Sequence, residues 1–502
     1  MLSKAKSKEL AIFIYIVNEK STSIEKIAAS LQLPKRAIKD AIIKTNTSLN
    51  SLFSIEGLII SNYKGEISIA EDYRGEALSL FYQLKLHYLK QSIKFNYVLL
   101  LIKQFKVSKE TLLRELYISE SYLSRITKEL NEYLLDKGIL ITCDEDGFFF
   151  SGREFLIRLF MFTTLMDAYQ TIEWPFEEYS MEHFVESIPK RLLQNPQQHT
   201  LHIKHSFAIL LMIIQIRSQN HAHFITKFDP QVMELFKLVN DTLDLGSFDE
   251  YNYLETADVE IIESEKQALS FFTVLYFSDF IDRQKKVDLG WTFFHTDNRM
   301  STISRQLTQR FDQILSLALY ADEIAIYNYY LTLFQILYFF LGNNYEKYLE
   351  LFFPVPQFHL QIHKEKNQSL IKKIEGLVDE VVTDTWIKQT PSLEKLLVNF
   401  LLGLSKATIK PKVYVYTQMN KDFTAIYFIR RRLLNIFNNN NIIFTYNYQE
   451  ADIIITDTMQ ENVMEKAIFY VGSVFDAEEW QKLLMIIQRI YFDKIVLLED
   501  TM

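Results

Sequence analysis

The chain has 502 residues, which is enough for about three to five domains. Hydrophobic residues make up 48 % of it, and the 12 glycines and 9 prolines are few, a mixture that predicts a mainly helical protein. The single cysteine, Cys143, excludes an internal disulfide framework and fits a reducing cytoplasm. The N-terminus has no signal-peptide cleavage pattern, and the longest strongly apolar run, residues 207–216, is too short to span a bilayer. We therefore expect a cytoplasmic location.

The charge is unevenly distributed, although the net value of −9 by itself argues against a nucleic-acid binder. Residues 1–50 hold nine Lys and Arg against four Asp and Glu, and residues 1–150 hold 21 against 18. The remainder holds 33 against 45. A basic N-terminal region in an otherwise acidic chain is expected when only that region binds a polyanion. A chance gradient is the alternative interpretation.

Two segments near the N-terminus are alike. Residues 27–42, IAASLQLPKRAIKDAI, align without a gap with residues 112–127, LLRELYISESYLSRIT, at an offset of 85. The shared spacing predicts a helix-turn-helix, because a second helix can then leave the turn at a steep angle and lie in a groove. In the two copies the first helix should end near Leu31 or Leu116, the turn should bury Leu33 or Ile118, and the second helix should start at Pro34 or Ser119.

Each helix-turn-helix is followed by a predicted β-hairpin. Residues 57–70, GLIISNYKGEISIA, turn around Lys64-Gly65, and residues 138–152, GILITCDEDGFFFSG, turn around Asp146-Gly147. A helix-turn-helix followed by a hairpin is a winged helix. One such pattern is weak evidence for DNA binding, but two in tandem are much more specific.

The exposed positions of the predicted second helices are candidate DNA-binding residues. Short hydroxyls can approach bases or phosphates, Arg can pair bidentately with guanine, and Lys neutralises phosphate. An ordinary solvated helix face is the alternative. The candidates are Ser121, Tyr122, Ser124, Arg125 and Lys128 in the second copy, Lys35, Arg36 and Lys39 in the first, and Lys64 in the first wing.

The chain resembles the Mga/AtxA-type virulence regulators of Gram-positive bacteria. The resemblance rests on YISESYLSRITKELN (117–131) with the hairpin after it, GREFLIRLFMFTTL (152–165) and IEWPFE (172–177), and the order of segments fits essentially the whole chain. It implies a promoter-binding transcription regulator, dimeric or larger, that responds to carbohydrate status and controls virulence or surface genes.

The resemblance also implies a mainly α, multidomain layout. Two winged helix-turn-helix domains come first, two all-helical domains like those through which the sugar phosphotransferase system (PTS) regulates proteins follow, and a small α/β domain resembling a PTS IIB component comes last. The expected ranges are 1–88, 89–165, 166–288, 289–408 and 409–502.

The middle of the chain supports this layout through long helical periodicity between residues 153 and about 400. Separators at 244–252 and 352–357 divide it. The sequence contains no Gly-rich phosphate loop, zincin motif or dinucleotide fingerprint, so we expect no cofactor.

Five histidines gather in the first predicted helical domain. Their HxxH and HxH spacings can bind metal, but no cysteine or grouped carboxylates complete a site, so no metal is expected. The resemblance implies instead phosphorylation by PTS phosphocarrier proteins, with His205 the best positional match and His202 second. The later acceptor-like positions, around Phe272 and Asn399, carry no histidine, and a histidine without chemistry is the alternative. The five are His199, His202, His205, His221 and His223.

Strands alternating with helices after residue 412 predict a small α/β domain with a parallel sheet. The resembling IIB component is phosphorylated on a cysteine after its first strand, whereas residues 417–420 here are Thr-Gln-Met-Asn. We therefore expect a binding or dimerising platform. Its apolar segments 426–429 and 483–487 would face a partner or, alternatively, cover the sheet, and Arg430-Arg431-Arg432 would be an exposed face or part of an interface.

The leading prediction is a non-enzymatic transcription regulator that binds double-stranded promoter DNA as a homo-oligomer. A PTS-coupled signalling adaptor, whose winged helices contact protein instead of DNA, is the alternative. A phosphotransferase is disfavoured because its cysteine is missing.

Overall fold

Over the residues that it describes, the computed structural model is mainly helical, as predicted, and carries three small sheets. Both predicted separators and His199 lie outside the residues that it describes. The chain divides into two compact units, Met1–Ser304 with Ala325–Phe358, and Arg305–Ile324 with His359–Met502. The five-domain layout stays a prediction. The described residues are 1–19, 21–188, 200–224, 229–243, 259–278, 281–315, 317, 319–342, 368–382, 391–408, 411–421, 424–437, 441–458, 466–473 and 475–501.

The first unit begins with the predicted first winged helix. Its core is made by the apolar faces of the helices and by alternate residues of the strands, with Phe13, Leu49 and Leu84 fully buried. Its three-stranded antiparallel sheet has the order β1-β3-β2, so a short strand before the helix-turn-helix joins the predicted hairpin. The elements are α1 (Lys4–Asn18), β1 (Thr22–Ser23), α2 (Ile24–Leu31), α3 (Lys35–Phe53), β2 (Ile59–Ser61), β3 (Glu66–Ile69) and α4 (Ala77–Lys90).

The second winged helix repeats this order. Its sheet is again antiparallel, with the strand before the helix-turn-helix paired to the second strand of the hairpin in the order β4-β6-β5. Both predicted helix-turn-helix motifs and both predicted hairpins are thereby confirmed. The elements are α5 (Ile93–Gln104), β4 (Lys106–Val107), α6 (Lys109–Leu116), α7 (Glu120–Leu135), β5 (Ile139–Cys143) and β6 (Phe148–Gly152).

The helix that leaves the second wing, α8 (Glu154–Tyr169), joins it to the helical part of the first unit. Every residue from Phe155 to Leu165 is buried, as expected for a helix that is apolar on all sides. The Phe155 ring lies 4.3 Å from Phe340 and 5.2 Å from Phe272, centroid to centroid. Further helices are α9 (Met181–Glu186), α10 (Leu201–Gln219), α11 (Pro230–Leu243), α12 (Val259–Tyr276), α13 (Arg283–His295), α14 (Arg299–Leu315) and α15 (Ala321–Leu341), of which α14 and α15 are divided between the two units.

One helix in the described part of the chain, α15, is long and apolar enough to cross a membrane by length and composition. Residues within the protein bury 67 % of its most apolar stretch, and Tyr329 and Ile336 are fully buried. The core helix of a folded protein has the same composition.

The second unit contains the predicted α/β domain. Its four strands are all parallel and have the order β10-β9-β7-β8, which confirms the predicted parallel sheet. Ile429, Leu433, Leu483 and Ile487 all belong to its buried hydrophobic core. The elements are α16 (Gln368–Val381), α17 (Pro391–Thr408), β7 (Val413–Gln418), α18 (Ala425–Ile436), β8 (Ile442–Phe444), β9 (Ile453–Thr456), β10 (Ala467–Tyr470) and α19 (Ala477–Thr501).

Candidate nucleic-acid interface

The turn between the two helices has the same backbone conformation in both copies. The residue that ends the first helix is left-handed, with φ of 52° at Gln32 and 53° at Tyr117. The following Leu33 and Ile118 are half-buried rather than fully buried. The second helices start at Lys35 and Glu120, one residue after the predicted Pro34 and Ser119, which occupy the N-cap positions. The Ser119 side chain caps its helix by accepting a hydrogen bond from the Tyr122 N–H.

An asparagine joins each recognition helix, α3 or α7, to its wing. The Asn46 side chain donates to the Ile59 carbonyl at 2.8 Å and accepts from the Ile59 N–H at 2.9 Å. Asn131 makes the same pair with Ile141, at 2.9 and 2.7 Å. Each amide occupies both backbone groups of one strand residue, so the first wing strand is fixed against the recognition helix. We call these two contacts the asparagine clasps.

The outer face of α7 combines hydroxyls with two cations. Arg125 is exposed, and its guanidinium carbon lies 4.6 Å from the centre of the half-buried Tyr122 ring, a stacked arrangement that orders the side chain. Glu129 lies 3.9 Å from Arg125 but accepts a 2.7 Å hydrogen bond from Lys94. That bond from Lys94 is the main cause of the lowered pKa of Glu129. Lys94 therefore compensates most of the Glu129 charge. The Arg125 guanidinium is left able to bind an acceptor outside the protein.

The outer face of α3 is more basic. Lys35, Arg36 and Lys39 are all exposed within its first five residues. The Lys35 ammonium donates a 2.7 Å hydrogen bond to Glu25, and this bond lowers the pKa of the Glu25 carboxyl. Because both partners are well exposed, the pair is weak, and a phosphate could replace Glu25.

The tip of the first wing is basic and aromatic. Asn62 accepts hydrogen bonds from the N–H groups of Lys64 and Glu66, at 2.9 and 3.0 Å, and this closes the turn. Tyr63 is 93 % exposed, and the Lys64 ammonium lies 5.6 Å from the centre of its ring. An apolar ring this exposed beside a cation suits contact with a nucleic-acid groove wall.

The tip of the second wing is acidic. Asp144 closes the turn by accepting from the N–H groups of Asp146 and Gly147, and Glu145 lies between them. The Lys106 ammonium hydrogen-bonds to Asp144 at 2.7 Å and to Asp146 at 3.2 Å. One lysine does not balance three carboxylates, so this tip is unsuited to a phosphate backbone.

The structure therefore places all nine predicted DNA-binding residues on the two recognition helices and the first wing. Eight are exposed and Tyr122 is half-buried. Sequence reasoning missed the asparagine clasps, the exposed Tyr63 and the acidic second tip. Extending the gapless alignment by four residues would have found the clasps, since Asn46 and Asn131 are also 85 apart.

The two histidines predicted to accept phosphate differ in accessibility. His202 is exposed in the first turn of α10, whereas His205 is only 3 % exposed. Within the described part of the chain, neither ring nitrogen of His205 has a hydrogen-bond partner, and Trp174 packs edge-on at 5.5 Å between ring centroids. Burial lowers the pKa of His205. In this conformation His205 is a neutral core side chain.

A buried ionic network ties α8 to α10 and α12. Arg158, fully buried, donates to Glu265 at 2.6 and 2.8 Å and to Glu154 at 2.8 Å. Arg217 donates to Glu154 at 2.8 and 2.6 Å, and the Phe224 N–H donates to Glu265 at 2.6 Å. Glu265 and Glu154 raise the pKa of Arg158 in spite of the burial that lowers it. The helix leaving the second wing is thus held to the helix that carries His202 and His205.

Metal chemistry has no support in the part of the chain that the structure describes. Among those residues, no group of three or more His, Cys, Asp or Glu side chains is arranged so that it could hold a metal ion. His221 and His223 are 6.0 Å apart between ring centroids, and burial lowers the pKa of His223.

A helix-turn-helix with a wing, repeated in one chain, is typical of DNA-binding regulators. Residues 79–165 match the family model described as the Mga helix-turn-helix domain. The second winged helix is therefore an Mga helix-turn-helix domain, and the predicted resemblance to the Mga-type regulators is confirmed. The match begins within α4 and ends within α8. No curated protein matches the chain.

Proposed function

We propose that the protein is a sequence-specific transcription regulator in which the two winged helices play different parts on one duplex. The second winged helix reads bases through Arg125, with Ser121, Ser124 and Tyr122 around it. The first grips the phosphate backbone through Lys35, Arg36, Lys39 and Lys64. The observation that carries this proposal is the contrast between a stacked, oriented arginine on one recognition helix and a basic face and wing on the other.

The first test is duplex binding by the full chain over a range of salt concentrations. Affinity should fall steeply as salt rises, because phosphate contacts release counterions. Protein that ignores duplex DNA at low salt would refute the proposal and favour the alternative, an adaptor whose winged helices bind protein.

The division of roles is tested by two single substitutions. Arg125→Ala should cost on the order of 1–3 kcal/mol on the preferred site and relax the sequence preference, if the side chain pairs with a base. Lys39→Ala should weaken preferred and unrelated sequences alike. The division of roles is wrong if Arg125→Ala leaves both affinity and preference unchanged, or if Lys39→Ala alters preference.

The link to carbohydrate status is a separate part of the proposal. We propose that a PTS phosphocarrier modifies α10, first at His202, because that ring is accessible. Modification of the buried His205 would require α10 to move away from Trp174. A phosphoryl group adds negative charge at the start of the helix that carries Arg217 of the ionic network. Phosphoprotein analysis across carbon sources, with His202→Ala and His205→Ala compared, tests this, and unmodified histidines under all conditions would contradict it.

Self-association through the C-terminal α/β domain completes the proposal. A dimer would extend the DNA site by two-fold pairing. Support comes from exposed aromatic side chains of this domain, where Phe428 lies 5.9 Å from Phe475 and 5.8 Å from Tyr427 between ring centroids. Within the predicted contact segments, Ile429 and Ile487 instead cover the sheet. Phe428→Ser with Phe475→Ser should lower the mass measured by sedimentation, and an unchanged mass would place the interface elsewhere.

A further inference from the structure

A cavity of about 170 Å³ lies inside the first unit, where the two winged helices meet α8. The N-terminal segment and α4 of the first winged helix line it, together with α5 and the recognition helix α7 of the second. The Ser92 hydroxyl, at the start of α5, donates a 2.8 Å hydrogen bond to the Met1 carbonyl and so ties the N-terminal segment to the second winged helix. A protein cavity of roughly 150 Å³ can hold benzene, so this one has room for a molecule with a single ring. We call it the junction cavity.

The wall of the junction cavity combines apolar side chains with hydroxyl groups. Leu89 and Phe95 are buried and supply apolar surface. Thr164, on α8, is also buried, and its hydroxyl has no hydrogen-bond partner among the described residues. A buried polar group without a partner is costly, and an oxygen atom of a ligand would satisfy it. An apolar wall with a few polar groups is typical of sites for small organic molecules.

Charged side chains give the junction cavity a preference for anions. Lys85, on α4, forms an ion pair with Asp167, on α8, and their side chains are 10 % and 41 % exposed, respectively. Because Asp167 reaches water, a second carboxylate can replace it on the Lys85 ammonium without leaving Asp167 buried. Tyr133 of α7 also lines the cavity, and the ammonium of the buried Lys137 lies 3.7 Å from the centre of its ring. Two buried lysines near one half-exposed carboxylate favour a bound anion.

We propose that the junction cavity is a binding site for a small organic carboxylate whose apolar part packs on Leu89 and Phe95. The ligand carboxylate accepts a charge-assisted hydrogen bond from Lys85, in place of Asp167, and a second hydrogen bond from the Thr164 hydroxyl. A molecule bound there contacts both winged helices. The proposal concerns binding by the protein alone and does not depend on its DNA-binding function.

The test uses the full chain and ligand-observed NMR titrations at constant ionic strength, with acetate, butyrate and benzoate as probes. Affinity should increase in this order, because the apolar part that the cavity can bury increases. Benzamide has the shape of benzoate without its charge. It should bind on the order of tenfold more weakly than benzoate, because it cannot accept a charge-assisted hydrogen bond from Lys85.

Lys85→Met keeps the length of the side chain and removes its charge. It should weaken benzoate binding on the order of tenfold and leave benzamide binding nearly unchanged. Lys90→Met is the matched control, because Lys90 lies on the same helix and is also in an ion pair, with Glu173, but does not line the cavity. This control should bind benzoate like the wild type. Ser7→Trp, at an exposed position that lines the cavity, should hinder binding of benzoate and benzamide alike.

Asp167→Asn keeps the test decisive if Lys85→Met does not fold, because Asp167 is half-exposed. It removes the carboxylate that competes for Lys85, so benzoate should bind more tightly than to the wild type, and unchanged or weaker binding would contradict the proposal. No saturable binding of any of the three carboxylates by the wild type would show that the cavity holds only solvent. Equal affinity for benzoate and benzamide would show that it is not an anion site. Equal losses in Lys85→Met and Lys90→Met would place the binding elsewhere.

Discussion

At the start of the recognition helix, the first winged helix has Lys35 where the second has Glu120, 85 residues later. Each is in an ion pair with the preceding helix, Lys35 with Glu25 and Glu120 with Lys109, both at 2.7 Å. The position on the recognition helix is the same, the partner lies one residue earlier on the preceding helix in the second copy, and the charges are exchanged. The first turn of the recognition helix therefore exposes a cation in one copy and a carboxylate in the other.

The wings differ in the same sense. Asn62 and Asp144 close equivalent turns through the same kind of backbone hydrogen bonds, but the first tip exposes Tyr63 and Lys64 and the second is acidic. The scaffold features that recur are the asparagine clasps and the left-handed turn residue. The shared clasps and turn residues stabilise the same fold in both copies. The charges that differ are the basis of the different roles proposed for the two copies on DNA.

The largest effect on stability should come from removing the cationic partner of a buried carboxylate. Arg158→Ala leaves the fully buried Glu265 without its main partner, which typically costs about 3–5 kcal/mol of unfolding free energy. In the first copy, Lys6→Ala removes the partly exposed partner of the buried Glu9, which keeps a hydrogen bond from the Tyr88 hydroxyl at 2.9 Å, so about 1–2 kcal/mol is expected. Chemical denaturation measures the free energy of unfolding of both variants. Equal losses would contradict the predicted difference between the two buried carboxylates.

The wing glycines should give the next largest effect. Both have positive φ, 79° at Gly65 and 142° at Gly147. A Cβ at Gly147 would lie 2.3 Å from the Val107 carbonyl oxygen, whereas nothing lies within 4 Å of one at Gly65. Gly65→Ala should therefore cost only the left-handed strain of about 1–2 kcal/mol, and Gly147→Ala about 2–5 kcal/mol because the paired strand must shift. Thermal unfolding of the two variants measures both losses of stability. A larger loss in Gly65→Ala than in Gly147→Ala would show that the second wing does not pack as described.

The sequence was sufficient to predict the parts of the fold that follow from local spacing. The gapless alignment at an offset of 85 predicted both helix-turn-helix motifs and the approximate ends of their helices. The alternation of strand and helix patterns after residue 412 predicted the parallel sheet. The strands Thr22–Ser23 and Lys106–Val107 were missed, because two residues carry no period. Each is paired antiparallel with the second strand of the hairpin that follows it, which supplies its hydrogen-bond partners.

The candidate DNA-binding residues could be predicted because helical spacing alone determines which side of α3 and α7 faces outward. Burial between distant segments could not be predicted. Arg158 pairs with Glu265, 107 residues away, and His205 packs on Trp174 in the IEWPFE segment. A histidine at the start of an apolar helix has the same sequence pattern whether its ring faces solvent or the core, and only packing distinguishes His202 from His205.

Substitutions at the wing tips should have smaller effects, on DNA binding and not on stability. Lys64→Ala should lower affinity for all sequences and reduce the salt dependence by about one counterion. Asp146→Asn should leave affinity unchanged or raise it slightly, because it only removes repulsion. Fluorescence anisotropy titrations at several salt concentrations measure both. A loss of affinity in Asp146→Asn similar to that in Lys64→Ala would mean that the second wing also contacts DNA.

The smallest expected effect is a pH dependence confined to one wing. The hydrogen bond from Lys106, with those from the Asp146 and Gly147 N–H groups, lowers the pKa of the Asp144 carboxyl, although desolvation opposes them. Because the folded pKa lies below the unfolded one, this stabilisation is present above the unfolded pKa and is lost as pH falls through the folded pKa.

The equivalent residue in the first wing, Asn62, does not titrate in this range, so the turn that it closes should keep its hydrogen bonds in acid. Acidification from neutral pH until Asp144 is protonated should shift the backbone amide resonance of Gly147 more than that of Gly65. Asp144→Asn gives the second wing an asparagine acceptor like Asn62 of the first wing. This variant should lose the part of the Gly147 shift that is caused by protonation of Asp144. Asp146 donates its own N–H to Asp144 and shares Lys106 with it, so Asp146→Asn is the control and should retain most of the shift. If Gly65 responds as strongly as Gly147, the two turns do not differ in their titrating group, and the asymmetry between the wings does not extend to their stability.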